Sequence, residues 1–130
     1  MLYEKINKVK SPLEKRFLED CITAGLIVEP NFKIGSIHAD FAVINKKLAI
    51  EVDSIQYHSS GKAYLEDCKR DDIYNSYGWG VIRIKSIGIL KDGENIAFDI
   101  KSGRYDNVKM VLIFESFQEQ SNQEMFAINF

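Results

Sequence analysis

Hydrophobic and polar positions follow a helical period in the first part of this chain. Between Ser11 and Gly25, apolar residues return every three or four positions, as on a helix with one buried face. Ser11 is a typical N-cap residue, Pro12 suits the first helical position, and Glu14 stands where a capping box places its acid. The segment therefore predicts a helix that ends near Gly25.

The segments that follow are apolar without polar alternation. "HADFAVI", "KLAIEV" and "YGWGVIRIK" are rich in β-branched and aromatic residues, and "FKIG" predicts a short strand before them. Strands that are apolar on both faces are buried on both faces, so helices should cover them above and below. A long helix is predicted at 62–77, a short one at "GENIAFDIKSG" and a last strand at "VKMVLIFESF". This order predicts an α/β sandwich with a mixed sheet.

The composition indicates one globular domain. The chain has 130 residues, 45% of them hydrophobic, which is enough for one core. We expect one domain over 1–130, with a core at about 11–87 and a C-terminal extension at 103–130 that could add a strand. No stretch approaches the roughly 20 apolar residues of a membrane span, and no secretory signal is evident, so a cytoplasmic protein without a membrane partner is expected.

Charge and cysteine content exclude several classes of protein. The formal net charge is −2 and the pI is about 5.7, which argues against a protein that coats nucleic acid by bulk electrostatics. A nucleic-acid partner would then require a local basic surface, a homodimer, or targeting by another domain or protein. Cys21 and Cys68 form no pattern typical of a disulfide framework or a zinc site.

A predicted hairpin brings three acids together. If Asn45 and Lys46 are the central residues of a two-residue turn, Asp40 lies opposite Glu51. Side chains alternate along a strand, so Asp53 emerges on the same face as these two. A three-residue turn would shift the register and move Asp40 to the other face.

Such a group of carboxylates is costly unless a cation lies between its members. Like charges opposite one another destabilise a sheet, and Mg²⁺ commonly takes one or two protein carboxylates. The pattern therefore predicts a Mg²⁺ or Mn²⁺ site at Asp40, Glu51 and Asp53. The alternative is a solvated strand end on which the acids pair with Lys33 or Lys85.

Other polar residues are candidates for the same site. His58 follows the strand in a loop and could act as a general base, or could be an ordinary surface residue. Glu14 could serve the helix cap, the outer shell of a metal, or both. Asp67 and Asp71 lie one helical turn apart with Arg70 between them, which is also compatible with a solvated helix face. Arg83 and Lys85 are expected to point outward from a later strand and could contact phosphate.

The order of these segments resembles a known group of nucleases. "SPLEKRF", "ADFAV", "LAIEVDSIQYH" and "DCKRDDIYNSYGWGVIRI" are similar to segments of the very-short-patch-repair endonucleases and of phage homing endonucleases, within the PD-(D/E)xK superfamily. The resemblance covers about residues 11–87. It implies a restriction-endonuclease-like three-layer sandwich with an α-β-β-β-α-β core.

The resemblance also implies roles for individual residues. It makes Asp40 and Glu51 metal ligands, His58 the histidine after the strand, and Glu14 and Asp71 further acids of the site. The chain departs from the family pattern in three ways. "PD" is "AD" here, and Asp53 stands at the usual lysine position, so His58, Lys62 or Arg70 would have to take part. The zinc-binding pattern of the repair enzymes is absent, which leaves mismatch specificity without support.

The resulting hypothesis is a Mg²⁺- or Mn²⁺-dependent DNA endonuclease. Lys62, Arg70 and Arg83 would be its nucleic-acid contacts, and Asp53 would assist the two metal ligands. Two alternatives stay open at this point. The chain could be a catalytically inactive nucleic-acid-binding or assembly module on the same fold, or a nuclease for RNA or branched DNA.

Overall fold

The computed structural model describes residues 2–53, 61–105 and 109–111. Within these ranges, no helix is long and apolar enough to cross a lipid bilayer. The helices are α1 (Leu2–Lys8), α2 (Pro12–Ala24), α3 (Gly61–Ser76) and α4 (Ser86–Lys101), and the strands are β1 (Glu29–Ile34), β2 (Ile37–Val43), β3 (Leu48–Asp53), β4 (Gly80–Lys85) and β5 (Lys109–Val111).

The strands form one mixed sheet in the order β1-β2-β3-β4-β5. β1, β2 and β3 are joined in antiparallel pairs, β3 and β4 are parallel, and β5 returns antiparallel to β4. The parallel pair is connected by α3, since two parallel neighbours need a crossover. The α/β architecture with a central mixed sheet, as predicted, is confirmed.

Helices cover both faces of the sheet, which explains why its strands lack polar alternation. On one face, α2 and α4 pack on strand residues such as Phe41, Ile50 and Ile82. On the other, Tyr74 of α3 packs with the neighbouring strand positions Ala49 and Val81. Because successive strand residues point to opposite faces, both sets are buried in a sheet covered on both sides.

Local signals define α2 as the sequence predicts. The Ser11 hydroxyl accepts the Glu14 backbone N–H at 3.1 Å, and Pro12 occupies the first turn. At the other end, Gly25 adopts the left-handed conformation with φ 80°, and its N–H bonds back into the last turn. A residue with a Cβ is strained in this conformation, so glycine ends the helix here.

The predicted register of the β2–β3 hairpin is also confirmed. Phe41 pairs with Ile50 and Val43 pairs with Leu48. The Lys47 N–H donates to the Ile44 carbonyl at 3.1 Å, so Asn45 and Lys46 are the central turn residues. A left-handed Lys47, with φ 51°, completes the reversal.

Several elements differ from their predicted extent. α1 was not predicted, and β1 begins at Glu29 rather than at "FKIG". α4 begins at Ser86, and the predicted short helix corresponds to its second part, because Asp92 has non-helical angles (φ −152°, ψ 28°) and separates two helical parts by a kink. The last strand is described only as β5, and the rest of "VKMVLIFESF" and of the extension lies outside the described residues.

Candidate active site

The β2–β3 ladder opens where the two acids face each other. Its regular pairing ends at Phe41 and Ile50. Beyond this point, the Asp40 backbone N–H donates to Glu51 Oε2 at 3.3 Å, and the Val52 N–H donates to Asp40 Oδ2 at 2.8 Å. Carboxylate oxygens thus accept the N–H groups that the opened ladder leaves unpaired. The hairpin places Asp40 beside Glu51, as predicted.

The other oxygen of Glu51 is held by α3. Glu51 Oε1 accepts bonds from Arg70 Nε at 2.8 Å, from Arg70 Nη2 at 2.5 Å and from the Tyr74 hydroxyl at 2.9 Å. Arg70 also donates to the His38 carbonyl at 2.9 Å. Burial by itself lowers the pKa of Arg70, but Glu51 more than offsets this and the pKa is raised. Arg70 thus holds Glu51 and is engaged on the protein itself, although the sequence suggested a phosphate contact.

Asp40 has weaker compensation than Glu51. Burial, followed by the neighbouring charge of Glu51, raises the pKa of Asp40 to about 7, and the bond from the Val52 N–H only partly opposes this. The nearest cation is the Lys10 ammonium, whose Nζ is 3.8 Å from Asp40 Oδ1. Since Arg70 already compensates Glu51, Asp40 is the less compensated carboxylate of the pair.

Arg83 does not point outward, so the sequence prediction for this residue is wrong. Its side chain is 4% exposed, and its Nη2 lies 2.6 Å from Asp71 Oδ1. Its Nε lies 3.6 Å from Asp67 Oδ2. The reason is the position of β4 inside the sheet, where α3 covers the face that a surface strand would expose. The compensating cation for Asp67 and Asp71 is therefore Arg83, and not Arg70 as the helix spacing suggested.

Glu14 closes the cap of α2 and fixes the chain before it. Its side chain is buried, and Oε1 accepts the Lys10 backbone N–H at 3.1 Å. The bond reaches one residue further back than in a standard capping box. The negative charge of Glu14 also helps to raise the pKa of Asp40. The capping role is thus present, and an outer-shell role stays a prediction.

Asp40, Glu51 and the two arginines line an open cavity of about 650 Å³. Glu14, Asp71 and Tyr74 are not among its lining residues. Lys62, exposed at the start of α3, is not among the residues that line it. His58 lies outside the described residues, so its position relative to the acids stays a prediction. The lining residues are Lys10, Ile37, His38, Asp40, Glu51, Val52, Asp53, Glu66, Asp67, Lys69, Arg70, Ile73 and Arg83.

The donor set fits a hard divalent cation, with two carboxylates rather than three as the core. Across the described ranges, no three His, Cys, Asp or Glu side chains are grouped closely enough to hold an ion. Asp53 lines the cavity and interacts with Arg83, but is not gathered with the other two acids. Asp40 and Glu51 both line the same cavity, and Mg²⁺ needs only one or two protein carboxylates.

Two residues of the site have no strong signal in the sequence. Lys10 belongs to a lysine-rich N-terminal segment. It lies near Asp40 only because of the way in which the connection between α1 and α2 is placed in the fold. Tyr74 belongs to a helix with a weak apolar face, yet it is fully buried and bonded to Glu51. Its spacing of one helical turn from Arg70 was the available clue, since such residues share a face.

Comparison with known proteins identifies the family of this chain. Residues 13–102 match the family REase_MTES_1575, whose members are restriction-endonuclease-like. The chain belongs to this family. The matched segment runs from α2 to the end of α4 and so contains Glu14, Asp40, Glu51 and Asp71.

A solved structure has the same fold as this REase_MTES_1575 member. The catalytic domain of the homing endonuclease I-Bth0305I matches with a TM-score of 0.56 and 22% identity, over 72% of this chain and 93% of that chain. Among curated proteins, none has a significant match to this chain. The restriction-endonuclease-like fold and the PD-(D/E)xK-type relationship are confirmed, whereas the closer resemblance to very-short-patch-repair enzymes stays a prediction.

Proposed function

We propose that this REase_MTES_1575 protein is a Mg²⁺- or Mn²⁺-dependent endonuclease that hydrolyses phosphodiester bonds of DNA. The observation that carries the proposal is the pair of Asp40 and Glu51 at the opened end of the β2–β3 ladder, facing a cavity large enough for a phosphate group. Family membership supports nuclease chemistry at that place, and nucleases of this kind typically use a divalent metal.

Asp40 and Glu51 are the proposed metal ligands, with Asp53 assisting from the cavity wall. Arg70 and Tyr74 occupy Glu51 Oε1, so Oε2 is the oxygen turned toward Asp40. A bound divalent ion would polarise the phosphate and lower the pKa of a water molecule.

The other candidate residues take supporting roles. His58 is proposed as a general base or as a donor to a phosphate oxygen. Glu14 and Asp71 orient the surroundings, the first through the Lys10 N–H and the second through Arg83. Lys62, at the exposed start of α3, is the proposed DNA contact outside the cavity. In the reaction, water adds its oxygen to phosphorus, the bond to one sugar oxygen breaks, and that oxygen gains a proton.

Cleavage of supercoiled plasmid tests the proposal. Mg²⁺ or Mn²⁺ should support conversion to nicked or linear DNA, a chelator should stop it, and Asp40→Asn should lower the rate by at least about 100-fold because a metal ligand is lost. Asp72→Asn is the matched control, since Asp72 is exposed on α3 and does not line the cavity. Single-stranded DNA, branched DNA and RNA are assayed in parallel.

The outcome separates the alternatives. Cleavage of RNA alone, or of branched DNA alone, would replace the proposed substrate while keeping the site. Absence of cleavage together with absence of saturable Mn²⁺ binding would support the inactive binding module. Full activity of Asp40→Asn would refute the metal-ligand assignment.

A further inference from the structure

We propose that Lys10 is a catalytic residue of this site, whose ammonium group contacts the phosphate that undergoes hydrolysis. The inference rests on the proposed function and assigns to it a residue from outside the strands. A phosphate that approaches Asp40 and Glu51 carries negative charge toward two carboxylates, so a cation at the cavity, in addition to the proposed metal, would favour its binding.

Lys10 is placed to provide this charge. Its Nζ lies 3.8 Å from Asp40 Oδ1, and its side chain lines the cavity. The side chain is 51% exposed, so the ammonium can leave Asp40 without losing a buried bond. Exposed pairs of this kind contribute little to stability, which makes the exchange of Asp40 for a phosphate oxygen inexpensive.

The backbone at Lys10 is held at the start of α2, whereas its side chain is half-exposed. The buried Glu14 accepts the Lys10 N–H, and the Ser11 hydroxyl accepts the Glu14 N–H at 3.1 Å. These two bonds tie the end of the α1–α2 connection to the first turn of α2. The Lys10 side chain therefore extends into the cavity from a fixed backbone position, which reduces the entropy cost of positioning the ammonium group.

The two arginines that line the described part of the cavity are engaged elsewhere. Arg70 bonds to Glu51, and Arg83 is buried against Asp71. Lys69 is 73% exposed, and its Nζ lies 3.9 Å from Glu66 Oε1 on the same helix. Lys10 is thus the lysine that contacts a proposed metal ligand and still has donors available.

An ammonium group suits the charge change of the reaction. It offers three N–H donors, and negative charge on the phosphate oxygens shifts as the water attacks. Removing one well-placed donor of this kind typically costs about 100- to 1,000-fold in kcat. Lys10→Ala should therefore lower kcat by about 100-fold, and Lys10→Arg should restore part of the rate because it keeps the charge.

The test compares Lys10→Ala, Lys10→Arg and a matched control, Lys8→Ala. Lys8 is an exposed lysine two positions away that does not line the cavity, so its loss removes the same charge from the same region. Plasmid cleavage gives kcat and KM for each protein. Thermal unfolding with increasing Mn²⁺ gives a readout that does not depend on activity.

A catalytic Lys10 predicts a specific combination of results. In Lys10→Ala, kcat falls about 100-fold and the Mn²⁺-induced rise in Tm is at least as large as in the wild type, because a positive charge beside Asp40 has been removed. Lys8→Ala keeps the wild-type kcat. A kcat of Lys10→Ala within threefold of wild type, or a parallel loss of the Mn²⁺ effect, overturns the proposal while the nuclease assignment stands. A wild-type protein that cleaves nothing overturns both.

Discussion

Replacing Asp40 with Asn should stabilise the metal-free protein at alkaline pH, and the gain should shrink in acid. Asp40 is the less compensated member of a buried carboxylate pair, and burial together with Glu51 raises its pKa from 3.8 to about 7. Asparagine removes the charge and keeps an oxygen that can accept the Val52 N–H, now at 2.8 Å from Asp40 Oδ2. The substitution thus removes the repulsion between residue 40 and Glu51 and keeps the hydrogen bond from the Val52 N–H.

The magnitude follows from the linkage between pKa and stability. A group whose pKa is raised on folding favours the folded state in acid, and this contribution is lost as pH rises from about 4 through 7. With about 1.4 kcal/mol per pKa unit, the ionised Asp40 costs at most about 4 kcal/mol at pH 8. At pH 4.5 the cost is about 1 kcal/mol, so Asp40→Asn should gain about 3 kcal/mol more at pH 8.

Urea unfolding of both proteins at pH 4.5 and 8, with chelator present, measures this difference. Asp72→Asn again serves as control and should change the free energy of unfolding by less than about 0.5 kcal/mol at either pH. Adding Mn²⁺ at pH 8 should reverse the order, because only the wild type gains from the ion. An Asp40→Asn effect that is equal at the two pH values, or destabilising at pH 8, would refute the account of the uncompensated pair.

Two further predictions concern the arginines. Arg70→Ala leaves Glu51 without its cation and should cost about 3–5 kcal/mol of unfolding free energy at pH 8, with partial recovery in Arg70→Lys, as measured by urea unfolding. Arg83→Met should cost a similar amount because Asp71 loses its partner, and Asp71→Asn in the same chain should recover part of it. An Arg83→Met protein whose stability does not recover at all when Asp71→Asn is added would contradict the pairing of these two residues.

The sequence predicted the fold well because its strongest signals are local. The N-cap at Ser11, the glycine at Gly25 and the two-residue turn at Asn45 act within a few positions, and each is present in the structure. The extent of α4 could not be predicted in the same way. A helical break at Asp92 normally ends a helix, but packing of Ile89 and Ile96 on the same core holds both parts together.

Prediction of the site succeeded for pairs set by strand register and failed for partners set by tertiary packing. The hairpin register alone brings Asp40 next to Glu51. Strand alternation led to the prediction that Arg83 points outward, because that argument assumes one solvated face of the sheet. In the structure, α3 covers this face of β4. The pairing of Lys10 with Asp40 depends on how α1 and α2 are placed against the sheet, and no pattern within either segment encodes it.

The two arginines of the cavity explain how an acidic chain can hold its carboxylates together. Arg70 compensates Glu51, and Arg83 compensates Asp71, so the charge that remains unbalanced inside the cavity is concentrated at Asp40. Removing all of the imbalance would give a more stable protein, but it would also leave no carboxylate in need of a cation. We infer that the stability lost through the ionised Asp40 is a cost of the proposed divalent-ion site, as expected where function and stability conflict.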